Sequence, residues 1–418
     1  MRRPPFCPNR ECELHIDPRS SQAARLSRRR WFKRNGSYPT RVRGSVTRFK
    51  CLVCGRGFSE QTFSLDYYVK RIIDYDEIRR SLGDSSSVRA ISRRLGCSCD
   101  SVTNRCSRFA RQCISAHAQV LSGCTLSEDL AADGFESFTV SQYFPNNIHL
   151  LVGSSSQTVY FSDYVTLRRS GRMTAVQKRK RAAFEKLYRT EKQGVTRSFA
   201  ELLEHLHSRM QHSDHQPLTL ATDKKQEYCR ALAANAPLSA ALEQGQLFHN
   251  RVNSRAARTK KNPLFAVNYL DRELRKDLAE HVRETVRFAR NVNHCTERLW
   301  IYFHDHNTRK RYRINDPVGV NRTHLGEAGL GAEAVARADA QLERRRRFLS
   351  FESLEPALDR VWRRAHRTPL KGVAKKVLRE IDRQAHDGPV DLESVKQKLG
   401  IEHLINDRPQ YLPKYALA

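Results

Sequence analysis

The chain has 418 residues, with 75 Lys and Arg against 45 Asp and Glu and a formal net charge of +30. That length allows a sizeable core shared among two to four domains, and the charge points to a polyanionic partner, of which nucleic acid is the commonest. No run approaches the roughly 18 apolar residues of a membrane-spanning helix, and the first residues lack the apolar stretch of an export signal. Eleven cysteines, an odd number, favour reduced thiols with some metal ligands over a disulfide framework, and hence a cytoplasmic location.

Residues 1–64 carry "CPNREC" (Cys7, Cys12) and "FKCLVCGRGFS" (Cys51, Cys54). Tetrahedral Zn²⁺ needs four soft ligands, and two tight turns can bring a pair of thiolates each. This predicts a zinc ribbon with a basic insertion between its knuckles. The first pair is C-x4-C, and His15 is a possible substitute ligand. Basic residues are densest here, with 15 Arg and Lys against 3 Asp and Glu over 1–56.

Residues 65–125 are helical in pattern. Val88, Ile91 and Leu95, then Gly96, then Val102, Cys106 and Phe109 describe two short amphipathic helices around a glycine turn, a helix-turn-helix signature. Ser98 or Asp100 would cap the second helix. Ser101, Thr103, Asn104 and Arg105 would then lie in its first half, where base edges are read in the major groove.

Residues 126–315 begin with three strands, "DGFESFTV", "NIHLLVG" and "TVYFSDYVTL", read as a meander. A long charged helical segment over 173–210 follows, then the strand "PLTLATD", a short helix, the strand "LFHNRV" and a helix over 266–290. This order fits a ribonuclease-H-like mixed sheet with helices on its faces. Residues 316–418 read as a helical accessory region. The predicted fold is therefore a multidomain α/β chain: zinc ribbon, helix-turn-helix, mixed-sheet catalytic domain and helical C-terminal region.

Asp133 interrupts the first strand of the sheet and Asp223 ends the fourth. In that order the two strands are neighbours, so the carboxylates approach one another and both stay ionised only with cations between them. Two Mg²⁺ (or Mn²⁺) ions would meet this need and would serve phosphoryl chemistry. His249 with Asn250 is a candidate for orienting a phosphate, and "FHDHN" (303–307) faintly resembles a paired-histidine metal site.

These features together resemble a prokaryotic insertion-sequence transposase of the zinc-ribbon group in the DDE superfamily. The residues carrying the resemblance are "CPNREC…KCLVCGRGFS", "ADGFESF", "LATDKK", the block from His249 to Asn293, and "RLWIYFHDHN". The resemblance implies a metal-dependent enzyme that cuts and joins DNA. Zn²⁺ would sit in its ribbon, double-stranded DNA (terminal inverted repeats and target) would be its partner, and at least a homodimer would assemble on DNA in the nucleoid. It matches Asp133 and Asp223 to the first two catalytic acids. The third position aligns with Asn268, where many relatives carry Glu, and Arg275 or Lys276 is the basic follower. Glu273 and Glu280 are the main alternatives as third ligand, with Asp271, Asp277 and Glu284 also on the predicted helix. Asn268 keeps open a catalytically silent DNA-binding regulator or decayed transposase, and a nuclease of the same fold is a further alternative.

Overall fold

The computed structural model describes residues 3–215, 217–282, 287–317, 320, 322–340, 342 and 345–405. At the N-terminus, helix α1 (Ser21–Arg28) leads into an antiparallel sheet of β1 (Phe32–Thr40), β2 (Gly44–Cys51) and β3 (Gly57–Ser59). The apolar core of this unit is small: Phe6, Leu14, Trp31, Phe49 and Phe58 around the cysteines. It leans on the far end of the chain, where Phe348 and Phe351 meet Phe6 edge to face.

Three helices follow: α2 (Tyr75–Gly83), α3 (Val88–Arg94) and α4 (Cys99–Ser122). Ile78, Leu82, Ile91, Val102, Cys106 and Phe109 form their shared core, which includes four of the predicted apolar positions. Gly96 turns the chain between α3 and α4 with φ of +56°, a conformation that favours glycine. Ser98 is the cap of α4, accepting the Ser101 amide at 3.1 Å. At 24 residues α4 is far longer than the short helix expected. Its second half contributes Ile114, Ala118, Val120 and Leu121 to the core of the next unit, so α4 serves both.

That unit is a five-stranded sheet: β4 (Leu130–Phe138), β5 (Pro145–Gly153), β6 (Val159–Thr166), β7 (Leu218–Asp223) and β8 (Leu247–Val252). The spatial order is β6-β5-β4-β7-β8. β4, β5 and β6 are antiparallel, as a meander requires, and β7 and β8 run parallel to β4. The connections cross the faces as α5 (Ala175–Leu187), α6 (Gly194–Met210), α7 (Gln226–Ala233) and α8 (Ala236–Glu243). The predicted single helical segment over 173–210 is thus two helices, separated where Gln193 adopts a left-handed φ of 55°. The short helix expected after β7 is likewise a pair.

Helix α9 (Phe265–Asp277) is shorter than the 266–290 span its pattern predicts. Leu270, Leu274 and Leu278 are all buried, yet the backbone turns extended at Leu278. Ser85 explains the stop. Its amide donates to the Asp277 carbonyl at 2.9 Å and its hydroxyl to the Lys276 carbonyl at 2.7 Å, satisfying carbonyls a helix end leaves open. Glu284, on the predicted extension, lies outside the described residues. Next comes α10 (Val292–Thr308), which is buried along most of its length against α4 and the sheet.

The last part of the chain divides its tasks among α11 (His324–Glu327), α12 (Ala332–Ala340), α13 (Pro356–Arg363), α14 (Lys375–Asp387) and α15 (Leu392–Leu399). Trp362 on α13 enters the sheet core, whereas α14 and α15 close a separate cluster on Phe184 of α5. Among the described residues no helix is long and apolar enough to cross a membrane.

Six histidines are held in buried or half-buried settings. Burial lowers His117, His149 and His366 to about 3, and His281, His294 and His324 to about 4. Unfolding frees these rings to bind protons below about pH 6.5, so the unfolded state gains protons as pH falls from there toward 4. Stability is therefore expected to fall over that window, by about 1.4 kcal/mol per pH unit for each proton taken up. The urea midpoint measured by circular dichroism at pH 7.5, 6, 5 and 4 checks this, and a flat profile would contradict it.

Candidate active site and metal centre

The two cysteine turns converge as their spacing predicts. The Sγ atoms of Cys7, Cys12, Cys51 and Cys54 all lie within 4.8 Å of one another, with Cys7–Cys54 at 3.6 Å and Cys12–Cys51 at 3.9 Å. A tetrahedral zinc with bonds of about 2.3 Å needs sulfurs about 3.8 Å apart, so the set is compatible with that ion. The wide first pair is accommodated by a turn in which the Cys12 amide donates to the Asn9 carbonyl at 3.1 Å. Burial opposes ionisation of Cys54, but the Arg56 amide, Asn9 and the neighbouring thiols outweigh it and bring that thiol down to about 6. His15 is engaged elsewhere: Nδ1 lies 2.7 Å from the Cys7 carbonyl and Nε2 2.7 Å from Ser350 Oγ. It buttresses the site from outside the sulfur cluster.

Of the residues predicted on the recognition helix, Ser101, Thr103 and Asn104 are partly exposed on the first turns of α4. Arg105 is not. Its guanidinium is buried, donating to the Arg71 carbonyl at 2.8 Å and to Asn104 Oδ1 at 2.9 Å, which ties α4 to the segment before α2.

Asp133 and Asp223 are brought together by register. β4 and β7 pair as Leu130–Leu220, Ala131–Ala221 and Ala132–Thr222, so the next step along both strands is the two aspartates. Gly134 lets the adjacent strand close in: a side chain there would meet Asn147 at 2.1 Å. Its amide donates to Asp133 Oδ1 at 2.7 Å, and the Tyr228 hydroxyl reaches the same oxygen at 3.3 Å. Burial and the nearby Asp223 raise the Asp133 carboxyl, against the pull of Lys225. Lys225 Nζ stands 3.6 Å from Asp133 Oδ1 and 3.6 Å from Asp223 Oδ2. Sequence reasoning passed over this lysine, although its place two residues after Asp223 was a usable signal.

The helix α9 offers a third group. Asn268, the aligned position, turns its side-chain amide onto its own helix, donating to the Leu264 carbonyl at 2.9 Å. Glu273 is buried and held low by Lys310 and Lys276. Glu280 is buried against Arg298, and Asp277 accepts from Lys310 at 2.6 Å and from the Tyr302 hydroxyl at 2.8 Å. Asp271 differs from all of these. Its Oδ1 is buried with no hydrogen-bond partner, and burial together with the charge of Asp133 pushes the carboxyl up to about 8. An orphaned carboxyl oxygen within electrostatic reach of the Asp133 carboxylate is donor chemistry that a hard divalent cation takes.

Arg275 lies over the Phe135 ring at 4.6 Å, beside the strand that carries Asp133, whereas Lys276 pairs with Glu273. Between β8 and α9 an exposed loop carries Arg255, Arg258, Lys260 and Lys261, and the Arg258 charge is felt by Asp271. His249 sits on β8 with Nε2 2.8 Å from Thr222 Oγ1, one residue from Asp223. The histidines of "FHDHN" are inside: Nε2 of His304 faces Asp339 at 3.4 Å and that of His306 faces the Gln157 carbonyl at 2.9 Å. Among the described residues, the four cysteines are the cluster of thiol, imidazole and carboxylate ligands tight enough to enclose one ion.

No protein-family model matches the chain, and no curated protein matches it.

The purified chain is expected to carry one zinc, measured by elemental analysis. Cys51→Ser should lose it and unfold the small ribbon, whose core is too slight to persist alone. His15→Ala should keep full zinc. A zinc-free His15→Ala protein would make the imidazole a ligand after all.

Proposed function

We propose that the chain is a DNA transposase of the DDE type, with Asp133, Asp223 and Asp271 as its acids. The observation that carries this reading is the pair of aspartates at adjacent positions on neighbouring parallel strands, with the orphaned carboxyl of Asp271 within electrostatic reach of Asp133. The spatial order β6-β5-β4-β7-β8, with the first three strands antiparallel and the last two parallel to the centre, supports a ribonuclease-H-like fold. The oxygen donor set fits Mg²⁺ or Mn²⁺, and three carboxyl groups against one lysine leave room for its charge. Bound there, such ions would activate an attacking hydroxyl and stabilise the leaving oxygen on phosphorus.

The chain's own residues do the rest. Asp133, Asp223 and Asp271 would hold the cations, whose charge would be supplied to the reacting phosphate. Arg255, Arg258, Lys260 and Lys261 flank that phosphate and neutralise the adjoining DNA backbone. The zinc ribbon and the exposed start of α4 hold terminal repeats, the former by phosphate contacts and the latter by base edges. Water hydrolyses a phosphodiester at the element's end to a 3′-hydroxyl and a 5′-phosphate, and that hydroxyl attacks a target phosphodiester in line, displacing the target strand's own 3′-oxygen. Both ends of an element must be cut together, so the working form on double-stranded DNA is at least a homodimer.

The test uses zinc-loaded protein, Mg²⁺ and duplexes from the DNA flanking its gene. The wild type is expected to nick the ends and join them to a target. Asp133→Asn, Asp223→Asn and Asp271→Asn should each lose at least about 10³-fold in cleavage, the several kcal/mol that cation-held chemistry supplies. Asn268 spends its side-chain nitrogen, not its oxygen, on the helix backbone; Asn268→Ala should stay within about tenfold with Asp271 as third acid, and a loss near 10³-fold would make the Asn268 oxygen the third ligand instead. Cleavage without joining would indicate a nuclease, and binding without cleavage a regulator.

A further inference from the structure

Lys225 occupies a position that a site for divalent cations should not offer to a side chain. Its amide donates to Asp223 Oδ1 at 3.0 Å, which anchors the residue at the start of α7. From that anchor the ammonium reaches back between the carboxylates, 3.6 Å from Asp133 Oδ1, 3.6 Å from Asp223 Oδ2 and 3.5 Å from the Tyr228 hydroxyl. Its ammonium lies over the Tyr228 ring, 5.4 Å from the centroid. The side chain remains 31 % exposed, so it has a way out to solvent. A cation bridging the two aspartates would bond the same oxygens at about 2.1 Å and repel the ammonium.

Resting on the transposase reading, we propose that Lys225 is a placeholder for the cation, and that DNA releases it by offering a backbone phosphate to the ammonium. Without DNA the lysine sits between the two carboxylates and holds metal affinity down. With DNA the same side chain swings about its anchored backbone onto the phosphate, and the notch accepts the ion. Metal loading is thereby coupled to substrate binding, and the coupling is reciprocal: DNA raises the affinity for metal by the factor by which metal raises the affinity for DNA. The device limits the chemistry of a cation-loaded centre to protein already seated on DNA.

The experiment is a calorimetric Mn²⁺ titration of the zinc-loaded full chain, with and without a 30-base-pair duplex, at fixed salt. It compares wild type, Lys225→Met, Lys225→Arg and an Asp133→Asn control. Without DNA, Lys225→Met should bind Mn²⁺ about tenfold more tightly than wild type, as loss of one neighbouring positive charge implies. Its melting temperature in the metal-free state should fall, and Lys225→Arg should resemble wild type. With DNA the wild type should gain affinity for Mn²⁺ while Lys225→Met gains much less. Unchanged or weaker Mn²⁺ binding by Lys225→Met overturns the placeholder, and an undiminished gain with DNA overturns the release by phosphate. Absence of Mn²⁺ binding in the wild type, with Asp133→Asn alike, overturns the proposal by removing the metal site itself. That outcome is recognisably a failure of the underlying reading.

Discussion

Two carboxylates on adjacent parallel strands are the constraint around which this molecule is arranged. Like charges about 4 Å apart near a protein surface oppose one another by about 4 kcal/mol, and partial burial adds the cost of lost hydration. A structure that keeps Asp133 and Asp223 side by side must therefore supply positive charge at that spot. Lys225 does so from the loop that leaves β7, with its backbone and its ammonium both on the aspartates. Gly134 lets β5 pack closely beside the first acid. Tyr228, buried on α7, gives a hydroxyl to the same oxygen.

The place of Asp271 depends on how firmly α9 is held. Lys310 bridges Glu273 and Asp277, Tyr302 donates to Asp277, and Ser85 closes the helix end. These contacts consume two of the carboxylates on the helix and leave Asp271 Oδ1 without a partner, within reach of the Asp133 charge. They also join units that a linear reading separates. Ser85 belongs to the turn between α2 and α3, and Asp76 of α2 accepts Arg309 at 2.7 Å just beyond α10. Ser107 of α4 donates to the buried Glu297 of α10 at 2.6 Å. The three-helix unit and the carboxylate centre thus share polar contacts and the long apolar seam of α4.

The legible parts of the sequence were those whose signal is local. The strand alternation around Asp133, the cysteine spacing and the apolar–glycine–apolar run at 88–109 each report on neighbours a few residues away. The strand order could be anticipated because a meander and two later strands admit few arrangements. Long-range satisfaction was not legible. The leucine period continued to Leu278, but Ser85 ends the helix from nearly two hundred residues away. Asp271 could not be told from Glu273 or Asn268 on a helical wheel, because Lys310, which neutralises Glu273, comes from beyond α10. Arg105 has the spacing of a base-reading residue, yet the carbonyl of Arg71 claims it.

The same distinction gives the charge of +30 its meaning. Part of the arginine excess is scaffold: Arg105, Arg209 and Arg298 are buried on carbonyls and carboxylates inside the protein. The remainder is held where it costs stability. In the ribbon, Lys33 and Lys50 are direct cross-strand partners, both exposed, and like charges opposite one another destabilise a strand pair. The loop between β8 and α9 gathers Arg255, Arg258, Lys260 and Lys261 in seven residues. Neither arrangement is explained by folding, since each would relax if one residue were neutral. A polyanion bound at either would relieve that repulsion from outside, as Lys225 relieves the pair of carboxylates from within the protein.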